Sequence, residues 1–468
     1  MEKKAKQIVA IVVIAGIAVG AGLGTWIYFA FFATPYWVAP GAPATISEDQ
    51  MIKVGCLGDL NNIQGAGNYD GAYFAAKQIN EAGGVTVGGK TYYVAIGKED
   101  TAEARAPFDT ALGVAAAERL LARGAEYFVG GFRTEVLEAY LEPVMDAKKL
   151  FFGTGAATDS LCKVLETQYE KYKYFFRVMP INSTALGNQV VPFILGLMAG
   201  LNSTFVNEDI DTAVVLRENL DWTAEMGPKV AGALLNNSVY NFTTTYDMPY
   251  NPASTANDFD SYWGTIEGYG AHLVIPIISA GTGVYMMTKY AERQPNCTVV
   301  GINVESQLDS YWEETSGAAI YETMMQPLVR TNKTPVSIEF WDAYHAYYDS
   351  SPLYTATGAY DAVRLLIDVI NTTKSFDISG LINGLEDGVW HDFSPMTNTF
   401  QFTSTHDVRA WMEPGDNKDY AQTLMVQWQT GGAKYAVDQY VPVLSFYPVD
   451  MEVGTYQVAP WVAADWAT

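Results

Sequence analysis

The sequence is short of the groups that most often carry chemistry. Its 468 residues include three cysteines and four histidines, and lysine plus arginine number 28 against 52 acidic residues, a formal charge of −24. Cys56, Cys162 and Cys297 are widely spaced and odd in number, so at most one intrachain disulfide can form. A structural zinc site needs four clustered Cys or His ligands and does not fit that spacing. The three thiols read as free and buried. His272, His345, His391 and His406 are scattered and read as packing or surface residues. The deficit of positive charge excludes the basic face that neutralises nucleic-acid phosphates and disfavours flat docking on anionic lipid. The acidity itself reads as surface solubility. There is no Walker A loop, no HExxH and no GxSxG. Gly65, Gly67 and Gly71 approach a dinucleotide fingerprint, but the last spacing is one residue too long, and Asn61-Asn62-Ile63-Gln64 before them reads as a long loop. No nucleophile, base and oxyanion donor come together. The expectation is therefore neither an enzyme nor a carrier of cofactor or metal.

What is present begins with a membrane signal. Lys3, Lys4 and Lys6 precede an uncharged, mostly apolar run from Ile8 to Ala33. A helix needs about 20 such residues to cross a bilayer core, and a cleavable signal has only roughly 7–15. Residues 1–33 read as a signal anchor, with a cleaved signal as the alternative. Trp26, Tyr28, Tyr36 and Trp37 lie near its outer end, where amphipathic rings favour the interface. Basic residues before the run put the rest of the chain outside the cytoplasm. Seven N-x-[ST] sequons agree, at Asn182, Asn202, Asn236, Asn241, Asn296, Asn332 and Asn371, all after the anchor. An archaeal or eukaryotic-type cell surface fits both signals. Residues 34–50, with Pro35, Pro40 and Pro43, read as a semi-stiff linker.

The remainder is long enough for two or three domains at roughly 100–200 residues each. Its apolar pattern alternates between strand and helix periods. Strands are expected at Ile52–Leu57, Tyr127–Val129 and Leu150–Phe152, with a hairpin turning at Gly88-Gly89 between Val85 and Ile96. Helices are expected over Asn68–Glu81, Pro107–Leu121 and Glu135–Ala147. The rhythm then repeats, with helices Ala185–Ala199, Thr223–Leu235, Asp258–Tyr269 and Thr282–Arg293 around strands Ala213–Leu216, Leu273–Ile277 and Val299–Ile302. Two such series imply two mostly parallel sheets with helices on both faces. Later, Pro335–Tyr348 and Gly358–Ile370 look helical, and Phe400–Phe402 and Thr423–Gln429 look like strands.

Ligands bind at the carboxyl ends of parallel strands, and two strand ends carry suitable loops. Gly130-Gly131-Phe132-Arg133-Thr134 follows the strand at Tyr127, with Thr134 expected as the cap of the next helix. Gly153-Thr154-Gly155-Ala156-Ala157-Thr158 follows the strand at Leu150. Both offer N–H and hydroxyl donors that suit a carboxylate, and both are equally readable as ordinary capping and turn chemistry.

Ile52-Lys53-Val54-Gly55, the helix ending Ile79-Asn80-Glu81-Ala82-Gly83-Gly84, the Gly88-Gly89-Lys90 turn, Asp100-Thr101, Gly155-Ala156-Ala157-Thr158, Phe175-Phe176-Arg177 and Tyr360-Asp361-Ala362 together resemble the type I periplasmic binding proteins, above all the branched-chain amino-acid (leucine, isoleucine, valine) family of ABC-transporter binding proteins. The resemblance runs from about Lys53 to Gln429. It implies an α/β fold of two Rossmann-like lobes joined by a three-segment hinge, with crossings near Pro180, Met325 and Phe402. Lobe one would span 51–180 and 326–402, lobe two 181–325 and 403–450, with 451–468 as a C-terminal tail. It also implies a solute-binding receptor that hands an amino acid, or a related small polar solute, to a membrane permease. Thr134, Thr158 and the backbone at Ala156-Ala157 would take the ligand carboxylate, and Trp222 would supply an aromatic from the second lobe. The acid that meets the ligand ammonium is replaced by Asn303, with Glu305 two residues on, and Arg133 departs from the usual small hydroxyl cluster. The Tyr-rich stretch Tyr246–Tyr250 has no counterpart in the family. A ligand sensor or a structural surface protein on the same fold is the alternative; only a few residues precede the anchor, too few for a cytoplasmic signalling domain.

Overall fold

The computed structural model describes residues 36–105, 107–237, 240, 242–412, 416–437 and 453–468. The expected anchor over residues 1–33 and the sequon at Asn241 lie outside them. Residues 1–38 form one unit and 39–468 another. Of the first, residues 36–38 are described, with the rings of Tyr36 and Trp37 edge to face at 5.3 Å.

The larger unit holds two sheets built as the alternation implied. Strands β1 (Met51–Gly58), β2 (Val85–Val87), β3 (Lys90–Asp100), β4 (Tyr127–Gly130), β5 (Leu150–Gly153) and β6 (Phe175–Arg177) form the first, in the order β2-β3-β1-β4-β5-β6. All its pairings are parallel except the β2–β3 hairpin, which turns at Gly88 and Gly89. The second sheet contains β7 (Thr212–Glu218), β8 (Thr244–Tyr250), β9 (Leu273–Ile278), β10 (Thr298–Asn303) and β11 (Thr323–Gln326). After a small hairpin of β12 (Val389–His391) and β13 (Thr399–Gln401), two more strands join it, β14 (Leu424–Gln429) and β15 (Ala433–Ala436), giving β15-β14-β11-β10-β9-β7-β8. Its core pairings are parallel; β14 and β15 are antiparallel additions at one edge. The tyrosine-rich stretch at Tyr246–Tyr250 is part of the opposite edge strand. The parallel strands β4, β5, β7, β9 and β10 are buried along their whole length, as sheets covered by helices on both faces must be.

Three of the differences from the sequence expectation bear on packing. The first helix runs Ile63–Glu81 and absorbs part of the segment read as a loop. Asn62 caps it, its Oδ1 accepting from the Gln64 N–H at 3.3 Å. Gly65 and Gly67 in its first turns lower helix propensity, and packing overrides them. The segment at Thr223–Leu235 is two helices, Asp221–Ala224 and Met226–Leu235. At the C-terminus, Pro460–Trp466 is a docked helix whose Trp466 is fully buried against Phe205 and His272. One described helix, Ser183–Thr204, is long and apolar enough to cross a membrane, but 67% of its most apolar window is buried inside the protein. Cys56, Cys162 and Cys297 are free and buried.

The chain passes from the first sheet to the second after β6. It returns after β11, because helices Ser337–Tyr348 and Tyr354–Thr373 pack beside Ile63–Glu81. It passes over again between β13 and β14. These passages are tied to one another. Arg177, at the end of β6, makes a two-pronged ion pair with Asp407 of the third passage, at 2.8 and 2.6 Å. Lys333, after β11, is buried and donates to the carbonyls of Pro327 at 2.7 Å and Gln422 at 2.5 Å.

Helices Ile63–Glu81 and Tyr354–Thr373 meet at glycine. A Cβ added at Gly71 would run into the backbone of Ala356, and one at Gly67 into the hydroxyl of Thr355. Gly71→Ala is expected to destabilise the protein by about 1–3 kcal/mol, the usual range for overpacking, read as a lower urea midpoint with an unchanged slope.

Candidate functional site

The carboxyl ends of both sheets face one cleft. On the first side the loops after β4 and β5 lie against each other so closely that a Cβ on Gly155 would collide with the carbonyl of Gly131. Glu103, fully buried, accepts from the N–H groups of Phe132 at 3.2 Å and Arg133 at 3.1 Å. It fixes the chain just before the helix, so the cap position falls on Arg133 and the helix begins at Thr134, one residue earlier than expected. Freed from capping, the Thr134 hydroxyl makes a very short hydrogen bond with that of Thr158. The Thr158 loop is held from behind by Arg177, whose Nη1 donates to the carbonyls of Thr158 at 2.6 Å and Ala156 at 3.4 Å. The N–H groups of Ala156 and Ala157 find no acceptor among the described residues. Ser183 ties the same loop to the second side, its backbone N–H donating to the Ala157 carbonyl at 2.8 Å and its hydroxyl to the Trp222 carbonyl at 3.0 Å.

On the second side stand Trp222, Glu218, Ser279 and Glu305. Trp222 is half-buried, and its indole Nε1 is buried without an acceptor among the described residues. Glu218 ends β7 with no solvent exposure and accepts from Ser279 N at 2.9 Å, Ser279 Oγ at 2.6 Å and Ala280 N at 3.2 Å. Burial pushes its pKa up, against the pull of the Ser279 hydrogen bonds and the charge of Arg133. Glu305 lies beside Gly281 with one carboxylate oxygen buried and without a partner among the described residues. Burial, reinforced by Glu314 and Glu218, raises its pKa to about 7. The two sides touch directly where Gln64 Nε2 donates to the Ser279 carbonyl at 2.7 Å.

Between them is a small cavity of about 70 Å³ walled mostly by apolar side chains, among them Phe132, Met179, Trp222, Val304 and Tyr354. Of the residues singled out in the sequence, Ala157 and Trp222 line this cavity; Ala156 and Thr158 belong to the same loop as Ala157, Thr134 is joined to Thr158 by its hydroxyl, and Arg133 precedes Thr134. Glu305 lies beside Gly281, apart from them. Asn303 does not join them. It is fully buried, and its amide donates to Tyr311 Oη at 2.8 Å and Glu322 Oε1 at 2.7 Å. Sequence reasoning did not single out Gln64, Glu218 or Ser279. An acid closing the apolar run of β7 was the one visible signal for Glu218. Among the sequons, Asn236, Asn332 and Asn371 are exposed, and Asn202 and Asn296 are half-buried. The Asn182 amide is engaged by Asp407 at 2.9 Å while its carbonyl caps helix Ser183–Thr204.

A family model described as periplasmic binding protein matches residues 52–413. No curated protein matches the sequence. Solved structures that resemble it include a putative branched-chain amino acid ABC transporter protein from Silicibacter pomeroyi, 14% identical, with a TM-score of 0.66 over 88% of this chain and 99% of that one. The substrate-binding protein LivJ of Streptococcus pneumoniae, in complex with isoleucine, is 15% identical with a TM-score of 0.62 over 82% and 98%. A solute-binding protein of Rhodopseudomonas palustris HaA2, in complex with p-hydroxybenzoic acid, is 15% identical with a TM-score of 0.64 over 83% and 96%.

Glu103, Glu305, Glu322 and Asp361 all have pKa values raised to about 7, with burial the largest cause in each. A carboxyl whose folded pKa is raised stabilises the fold fully below its unfolded value, near 4.4, and loses that contribution as pH climbs through 7. Lys333, lowered to about 7 by burial, acts with the opposite sign, but only between 7 and its unfolded value of 10.5. Urea unfolding is therefore expected to show stability falling from pH 5 to pH 7, with a shallower fall in Glu305→Gln.

Proposed function

The chain belongs to the periplasmic binding protein family, and from that premise we propose that it is the extracytoplasmic solute receptor of an ABC importer, closing on a small carboxylate with an apolar body. The observation that carries this reading is the pair of free N–H groups at Ala156 and Ala157 beside the paired hydroxyls of Thr134 and Thr158. Such a group of donors, held in place before the ligand arrives, suits one carboxylate. The apolar wall suits the rest of the molecule. The ligands named for the structural relatives, isoleucine, leucine, benzoate and hydroxybenzoates, share that division into a carboxylate and an apolar body. For an α-amino acid, the unpartnered oxygen of Glu305 is the available counter-charge for the ammonium; an aromatic acid needs none.

In this reading lobe one is 51–180 with 326–402, lobe two is 181–325 with 403–450, and the three passages between the sheets are the hinge. The receptor delivers its solute to a permease in the membrane to which residues 1–33 anchor it. It binds and releases without turning the solute over.

Thermal unfolding of the full chain against a panel of amino acids, amides, peptides, sugars and aromatic acids tests the proposal. A ligand present at 100 times its Kd adds about 2.7 kcal/mol of stability. The double substitution Thr134→Ala, Thr158→Ala is expected to abolish that gain while leaving the unliganded midpoint nearly unchanged; undiminished affinity would refute the assignment. Glu305→Gln separates the two ligand classes, lowering affinity for an amino acid and sparing an aromatic acid.

A further inference from the structure

Behind Trp222 the molecule has a second concavity that the cleft reading does not use. It is a groove of about 500 Å³ between the Thr158–Lys163 segment, helix Ser183–Thr204 and helix Met226–Leu235. Trp222 lines both this groove and the small inner cavity, and Thr158 opens onto the groove while its neighbour Ala157 faces the cavity. The two spaces therefore adjoin at the group of donors assigned above to a carboxylate. The indole N–H of Trp222, buried and without an acceptor among the described residues, lies at the same junction.

The groove's own chemistry is that of a chain, not a head group. Its floor includes Val191, Pro192, Met226 and Val230. Both lysines on its rim are already paired, Lys163 with Asp159 at 3.3 Å and Lys229 with Glu225 at 2.8 Å. Asp221 adds one further negative charge, so among the described residues the groove away from Thr158 offers no unpaired cation. The inner cavity, at about 70 Å³, encloses a short apolar body only, and the adjoining groove of about 500 Å³ extends the space for a longer one.

On the basis of the receptor reading, we propose that the solute is an extended amphipathic carboxylate, with its head at Thr134, Thr158 and Trp222 and an unbranched apolar tail along the groove between helices Ser183–Thr204 and Met226–Leu235. The tail buries methylene groups against Val191, Pro192, Met226 and Val230, and each buried methylene strengthens binding about fourfold.

Gly187 supplies the discriminating variant. It lies within helix Ser183–Thr204, and a Cβ there would meet only Val230 Cγ2 at 3.6 Å and Met226 Cγ at 3.9 Å, ordinary contacts on the groove floor. Leucine is also a better helix former than glycine, so Gly187→Leu fills the groove without endangering the fold. The experiment is calorimetric titration of the full chain with butyrate, hexanoate, octanoate and decanoate, alongside leucine and benzoate. The expected result is a Kd that falls about fourfold per methylene up to octanoate in the natural sequence. In Gly187→Leu that dependence should flatten while butyrate affinity is unchanged. A flat series with normal binding of leucine or benzoate overturns the extended solute and leaves the receptor standing. A length dependence that survives Gly187→Leu overturns the groove as its site. Absence of binding by every compound overturns this inference and the receptor reading together.

Discussion

A guanidinium taken wholly out of water is tolerated only when its donors are satisfied and its charge is matched. Arg177 meets both conditions, and the way it does so organises the molecule. Two of its nitrogens grip Asp407, and a third reaches the carbonyls of the Ala156–Thr158 loop. Asp407 in turn holds Asn182, the cap of helix Ser183–Thr204. One buried pair thus joins the last strand of the first sheet, the loop that offers N–H donors, the third passage of the chain and the first helix of the second sheet. His406, next to Asp407, reinforces the junction by stacking on Phe176 at 3.9 Å and meeting the Phe175 carbonyl at 3.0 Å. Lys333 does similar work with backbone carbonyls where the second and third passages meet.

The cleft is acidic at one end and rich in neutral donors at the other. Glu218 and Glu305 share the acidic end with Arg133 across from them, while Thr134, Thr158 and the free N–H groups carry no formal charge. The chain's large negative charge lies mostly on its surface, so the polarity of the cleft comes from a few buried groups. Burial rather than partnership dominates the protonation of these carboxyls. Glu218 is held by the Ser279 hydroxyl and the N–H groups of Ser279 and Ala280, which favour its charged form against the pull of burial.

The regular elements were legible because their periods are local. β1, β4, β5, β9 and β10 are short apolar runs bounded by glycine or polar turns, and the helices between them repeat at 3.6 residues. The resemblance brought Thr134, Thr158 and Trp222 to one place, since each follows a strand of recognisable order. What stayed hidden depends on distant partners. Gln64 meets Ser279, 215 positions away, and no local pattern announces that. Asn303 matched the family position by order, yet its amide is taken up by the buried Glu322 and Tyr311. The helix start at Ile63 was masked by Gly65 and Gly67, whose uses, close approach to the Asp59 backbone and to the Thr355 hydroxyl, are visible only when the chain is packed.

That glycine-mediated approach has a mechanical corollary. Two helices whose backbones touch cannot slide past one another without a clash, so Ile63–Glu81 and Tyr354–Thr373 must travel as a single lever. The ends of that lever carry Gln64 and Tyr354, which reach the Ser279 carbonyl and the Gly155 carbonyl respectively. One of those contacts lies across the cleft and the other within the same lobe. Under the receptor reading proposed above, opening the cleft would break the first while keeping the second, which favours rotation about the tied passages over shear between the two helices.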